Sequence, residues 1–266
     1  MGATGAEMGR SSLLVIVPAY NEGPCIGRVV SELRAWVPEA HVVVINDGSL
    51  DDTSAQARRA GATVIDLPYN LGIGGAVQTG YKYAAATGCD VVVRLDGDGQ
   101  HDPGYLRQLV APVLAGDADL VVGSRYVQGR APGAGDYVPS AARRWGIRFF
   151  GLLVSAIAGQ RVTDTTSGLH ACSPKVAALL ARDYPSDYPE VEVLAVLGRA
   201  GYRIVEVPVR MRRRLAGRSS ITPARSLYYA IKVTLTLLWT LLRAGPAPQG
   251  GAHRAGGEFE GEVSSP

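Results

Sequence analysis

Cysteine is scarce in this chain of 266 residues: Cys25, Cys89 and Cys172 stand far apart. They show neither metal-ligand spacing nor a disulfide framework, and their odd number fits a reducing compartment. No uninterrupted apolar run reaches the roughly 18 residues needed to span a bilayer. Residues 1–11 are small and polar, without a signal-peptide apolar region, and read as a disordered leader. The chain has no long block of like charge and no internal repeat, and its formal charge is only +3. That balance argues against nucleic acid as a partner. Positive charge does gather late, where Arg203, Arg210, Arg212, Arg213, Arg214 and Arg218 lie close together.

Hydrophobic residues make up 47% of the chain, ample for a buried core, and 33 glycines and 16 prolines mark many loops. Short β-type runs alternate with helical stretches. Strands are expected at Leu13–Val17, His41–Ile45, Thr63–Leu67, Asp90–Leu95 and Asp119–Gly123, with a helix after each of the first four. Such alternation implies a mostly parallel, Rossmann-like α/β sheet covered by flanking helices, with the strand ends gathered at one edge. The glycines at 72–75 do not complete a dinucleotide fingerprint. Val77 stands where the third glycine should be, and the cluster follows the third strand.

The run Asp90–Leu95 leads into Asp96-Gly97-Asp98-Gly99-Gln100-His101-Asp102. Ligands of an open α/β sheet bind outside the carboxyl ends of its strands, so both carboxylates would face a cleft. Hard oxygen donors, with the Gln100 amide nearby, suit Mg²⁺ or Mn²⁺ completed by substrate phosphates. Taken alone, the pair also reads as an ordinary Asp/Gly turn.

Beyond Gly123 the alternation lapses. Gln128–Ser140 reads as a loop too long to be a plain connector. Trp145–Ala158 is an apolar helix, either core or membrane-facing, and Thr163–Gly168 is a polar turn before Leu169–Cys172. Glu190 and Glu192 open a helix with carboxylates near its positive end. Tyr202–Val209 is a strand and Arg212–Ser220 a basic loop. Residues 224–243 form an amphipathic helix with Lys232, Thr236, Thr240 and Arg243 on one stripe. It would lie at a membrane interface or on the protein's own core. Residues 244–266 read as a disordered tail.

Four turns therefore coincide: Pro18–Glu22, Asn46–Ser49, Asn70–Ala76 and D-G-D-G-Q, each after one of the first four strands. The ordered set resembles the inverting family 2 glycosyltransferases of the GT-A fold. Q-H-D-P, Gly123-Ser124-Arg125, D-x-T-S-G at 164–168 and R-x-x-G-x-S at 214–219 narrow the likeness to the dolichyl/polyprenyl-phosphate mannose and glucose synthases. The likeness spans about Leu13 to Leu242 and divides residues 12–223 into a donor half, about 12–125, and an acceptor half, about 126–223.

By resemblance, Pro18, Ala19, Tyr20, Glu22, Asp47, Asn70 and Gly72 would contact the donor nucleotide. Asp96, Asp98 and Gln100 would hold the metal, with Asp96 also on the donor side. Arg214 and Ser219 would close over the diphosphate; Ser220 stands where the family often has lysine, and Arg218 is a cation nearby. Arg125 and one of Arg143 or Arg144 would face an acceptor phosphate. Asn46 stands where the family often has a first aspartate, leaving Asp47 alone.

The implied reaction moves a hexose, with inversion, from GDP-mannose or a UDP-sugar to a polyprenyl or dolichyl phosphate. Asp98, Arg125 and Arg214 would be central to it. A lipid phosphate needs no general base. A hydroxyl acceptor does, and Asp102, Asp164, Glu190 and Glu192 are the candidates. Two other readings stand beside this one: a transferase to a soluble hydroxyl, and a nucleotide-sugar-binding module without catalysis. The expected location is cytoplasmic, peripheral on the inner membrane face or held there by a membrane-protein partner.

Overall fold

The computed structural model of the chain describes residues 12–127, 141–185, 189–212 and 232–238. The apolar runs form β1 (Leu13–Ala19), β2 (His41–Asn46), β3 (Thr63–Asp66), β4 (Val91–Arg94) and β5 (Leu120–Ser124). Between them lie α1 (Gly23–Trp36), α2 (Thr53–Arg59), α3 (Gly72–Thr87) and α4 (Leu106–Leu114). The second half adds α5 (Ala141–Ala158), β6 (His170–Cys172), α6 (Pro174–Arg182), α7 (Pro189–Arg199) and β7 (Ile204–Pro208).

Seven strands make one sheet in the order β3-β2-β1-β4-β6-β5-β7. All neighbours are parallel except β6, which runs antiparallel between β4 and β5. The sheet is therefore mostly parallel, as the alternation implies. Three residues, His170–Cys172, are too short for a periodic signal, and their direction could not be read from pattern. The strand order reverses between β1 and β4, which places a crevice at their carboxyl ends.

Side chains of successive strand residues alternate between faces. Leu14 and Ile16 of β1 and Val43 and Ile45 of β2 join the core under α3, α5, α6 and α7. Leu13, Val15 and Val17 join the opposite core, under α1 and α4. Close approach fixes two of these contacts. Gly80 of α3 leaves no room for a Cβ beside Ile16, and Gly198 of α7 leaves none beside Ala158 of α5. α5 begins at Ala141, four residues earlier than Trp145 suggests.

At 232–238 the chain is helical, with Val233 and Leu237 buried in the core and Leu235 and Leu238 exposed. The rest of the expected 224–243 helix, and the basic loop beyond Arg212, lie outside the described residues. No helix among the described residues is long and apolar enough to cross a membrane.

Candidate active site

Three of the four expected turns are stitched into one rim along the carboxyl ends of β1, β2 and β4. The amide of Asp47 donates to Ala19 O at 2.9 Å, and Gly97 N donates to Pro18 O at 3.3 Å. Asn21 occupies the left-handed region, φ 53°, the one such non-glycine among the described residues. Its amide donates to Ser49 Oγ (2.9 Å), and its Oδ1 accepts from Leu50 N (2.8 Å). Glu22 N donates to Thr53 Oγ1 at 2.9 Å. Pro18, Ala19, Tyr20, Glu22 and Asp47 are thus brought together, with Tyr20 exposed.

The fourth turn joins through Asp47, whose Oδ1 accepts from Leu71 N at 2.7 Å. Asn70 Nδ2 donates to Asp47 O (3.2 Å), and Gly72 N donates to Asn70 Oδ1 (3.1 Å). Gly72 has φ 80°, which a side chain would strain. Burial lifts the Asp47 carboxyl above its ordinary pKa, although the Leu71 and Gly72 amides pull the other way.

Beyond β4, Gly99 takes φ 74° and lets the chain turn just after the second carboxylate, Asp98. Asp98 is buried, and its Oδ1 accepts from Gln100 N at 3.0 Å. Asp96 is held from two sides. Arg94 Nη2 donates to its Oδ1 at 3.3 Å, and His101 Nε2 lies 3.4 Å from its Oδ2. Burial raises the Asp96 pKa, but Arg94 and His101 more than offset this, so the carboxyl stays ionised well below the usual range. Gly168 closes a third side, since a Cβ there would overlap the Asp96 carboxylate.

Arg94 is the residue that pattern reading missed. It is 1% exposed, and its Nη1 donates to Tyr184 Oη at 3.1 Å and its Nη2 to Glu190 Oε1 at 2.7 Å. A cation inside an apolar strand was the available signal, because a buried charge demands a partner. His170 faces Arg94 across the β4–β6 ladder, and its Nε2 is buried without a hydrogen bond. Burial, and then Arg94, push this imidazole down to about 3, so it is neutral at physiological pH.

The chain after β7 returns to the carboxylate turn. His101 bridges Met211, Arg212 N donates to Gln100 O at 2.8 Å, and Gln100 Nε2 donates to Arg212 O at 3.3 Å. Arg212 also pairs with Glu32 (2.6 Å) and Asp102 (3.0 Å), and Asp102 Oδ1 accepts from Gly104 N. Arg125 is spent on Asp164: Nε meets Oδ2 and Nη2 meets Oδ1, each at 2.7 Å, and Nη2 also donates to Thr166 Oγ1. Arg144 is exposed on α5, and Glu192 is half-buried on α7. Arg214, Arg218 and Ser219, and the side chain of Arg143, lie outside the described residues.

The donor set suits a hard divalent cation. Asp96 and Asp98 give two carboxylates at the sheet edge, one of them kept ionised. No cluster of three or more His, Cys, Asp or Glu among the described residues could hold a metal by itself. A pair of carboxylates completed by phosphate oxygens and water is how Mg²⁺ is usually bound beside nucleotides.

Known proteins resemble this chain in sequence and in fold. The chain is 33% identical over 244 residues to the undecaprenyl-phosphate mannosyltransferase of Micrococcus luteus, covering 87% of this chain and 98% of that one. It is 30% identical to the polyprenol monophosphomannose synthase of Mycolicibacterium smegmatis, covering 79% and 80%. Glucosyl-3-phosphoglycerate synthase from Mycobacterium tuberculosis, solved with Mn²⁺, UDP and phosphoglyceric acid, superposes with a TM-score of 0.64 at 26% identity, covering 86% of this chain and 78% of that one. The fold is GT-A, as the turns imply. The model of glycosyl transferase family 2 matches residues 14–171, and the chain belongs to that family of enzymes.

Proposed function

We propose that this glycosyltransferase moves a hexose from a nucleoside-diphosphate sugar to a polyprenyl-type lipid phosphate, using Mg²⁺ or Mn²⁺ on Asp96 and Asp98. One observation carries the choice of acceptor. Three of the four carboxylates that could deprotonate a hydroxyl are each tied to an arginine: Asp102 to Arg212, Asp164 to Arg125 and Glu190 to Arg94. A carboxylate gripped by a guanidinium is oriented toward that partner and not toward a substrate hydroxyl. An acceptor phosphate is already an anion and asks for no base.

The exposed side of α5 supports a lipid. Trp145 is 72%, Phe149 55% and Leu152 75% exposed, and they follow one another at helical spacing. Arg144 and Arg148 are exposed beside them. An apolar stripe with a Trp and flanking cations suits the headgroup boundary of an anionic bilayer. The names of the Micrococcus and Mycolicibacterium relatives agree with this acceptor.

In this reading the rim Pro18–Glu22, Asp47 and Asn70–Gly72 holds the nucleoside. Asp96 and Asp98 sit at the diphosphate, where a bound cation supplies neutralisation of the charge growing on the leaving group. An acceptor oxygen forms the new bond to the anomeric carbon on the face opposite the departing diphosphate. Arg125 holds the Asp164–Gly168 turn; by resemblance to the family, one of Arg143 or Arg144 is assigned to the acceptor's charge. By the same resemblance, Arg214 and Ser219 are assigned to the diphosphate. Whether the donor is GDP-mannose or a UDP-sugar is decided by screening nucleotide sugars for diphosphate release.

A soluble phosphorylated hydroxyl acceptor is the second reading, favoured by the likeness to a phosphoglycerate glucosyltransferase. A base would then be drawn from Asp102, Asp164, Glu190 and Glu192. Labelled donor is incubated with polyprenyl phosphate and, separately, with 3-phosphoglycerate and simple alcohols. Product only in the lipid tube is expected, and product only in the soluble tubes refutes the lipid acceptor. Asp98→Ala should abolish transfer in either.

A further inference from the structure

We propose that Glu190 and Arg94 form a buried restraint that sets how tightly Asp96 binds its divalent cation. The inference rests on reading Asp96 as a cation ligand. Arg94 projects from β4 into the core beneath α3 and α7 and is almost wholly enclosed. Its Nη2 is shared unequally between two carboxylates, 2.7 Å from Glu190 Oε1 and 3.3 Å from Asp96 Oδ1. Tyr184 Oη fixes the other end of the fork, and the Tyr184 ring packs on Tyr81, 5.6 Å between centroids. Glu190 enters from the first turn of α7, a different part of the chain.

The geometry matters because a guanidinium and a metal ion compete for the same carboxylate oxygens. An arginine with Asp96 as its sole counter-ion would close on it and take the lone pairs the cation needs. Glu190 draws that charge the other way, leaving a longer contact that orients Asp96 without occupying it. It also offsets one positive charge beside the cation, at distances where such charges are felt strongly in a protein interior. Gly168 and His101 then confine the carboxylate from two further sides, while its side chain stays 32% exposed on the side open to a cation. Glu190 is therefore a positioning residue, acting through Arg94.

The test is Mn²⁺ binding to the full chain, followed by the electron spin resonance signal of free Mn²⁺ with UDP and with GDP, without turnover. Glu190→Gln should weaken binding by at least about tenfold, since it removes a charge and frees Arg94 to close on Asp96. The double variant Arg94→Met/Glu190→Gln removes the competing cation as well, and it leaves neither half of the pair as a buried charge without its partner, the situation that makes one-sided changes costly. Its Mn²⁺ affinity should return to within about threefold of wild type, because the net charge is restored. A pair with only a structural role would lower the melting temperature of Glu190→Gln and leave Mn²⁺ binding unchanged; that result overturns the proposal. So does a double variant that binds as weakly as the single. Should Glu190→Gln fail to fold, Glu190→Asp, shorter by one methylene, must still weaken binding. Wild-type protein that binds no Mn²⁺ refutes the reading of Asp96 itself, whereas wild-type binding matched by Glu190→Gln refutes the restraint alone.

Discussion

Gly168 and Asp96 share a space that admits no extra atom: a Cβ on Gly168 would overlap Oδ2 of Asp96 and come within 2.8 Å of its Cγ. Arg94 and His101 hold the carboxylate from two other sides, so it can give way only toward its exposed side. Gly168→Ala should therefore displace the carboxylate. A shift of about 1 Å in a positioned group costs on the order of a hundredfold in rate. Turnover should fall at least about tenfold while stability changes by no more than about 1–2 kcal/mol. Steady-state kinetics beside a urea melt checks this, and wild-type turnover would refute the tight fit.

Asp164 is fully buried and carries both prongs of Arg125. Breaking such a pair from one side leaves a charge without its partner, at a cost of about 3–5 kcal/mol. Asp164→Asn should lower the urea midpoint accordingly. Activity should fall with it, because Arg125 and Thr166 shape the turn that carries Gly168.

Acid should destabilise the protein well before its carboxylates titrate. His170 ionises near 6.5 when free and near 3 when folded. Between these values the unfolded chain binds more protons than the native one, so stability rises with pH and is lost as pH falls. The slope is at most about 1.4 kcal/mol per pH unit. Lower still, Asp96 and Asp164, both depressed in the native state, add losses of the same sign. His170→Asn should flatten the profile between these two pH limits in urea titrations, and an unchanged slope would show that another group governs acid lability.

The stripe on α5 should be separable from folding. Trp145, Phe149 and Leu152 are exposed, so changing all three to serine should leave the melting temperature within a few degrees of wild type. Burying one such side chain is worth about 1.5–3 kcal/mol, so co-sedimentation with anionic vesicles should drop by more than about tenfold. Retained vesicle binding would mean that α5 does not face the lipid.

The first five strands were readable because they are short and β-branched and, apart from the half-exposed edge strand β3, buried on both faces, and their turns because Asp, Asn and Gly are placed for chemistry as well as for bending. What sequence concealed lies in relations across the chain. Arg94 sits inside a run that reads simply as a strand, and its importance appears only with Glu190 and Tyr184 beside it. Asp164 and Arg125 each read as a free functional group, whereas folding spends them on each other. β6 left no periodic trace at three residues, although it completes the ladder beside the carboxylate turn.

That short strand sets a timetable for biosynthesis. β4 and β5 are made by residue 124, but the strand that joins them ends at Cys172. A nascent chain therefore carries two open strand edges for the whole interval, a state prone to pairing with other chains. Contacts of such sequence separation also form slowly. A chain ending near residue 125 should aggregate, since the edge of β4 would stay unpaired for good.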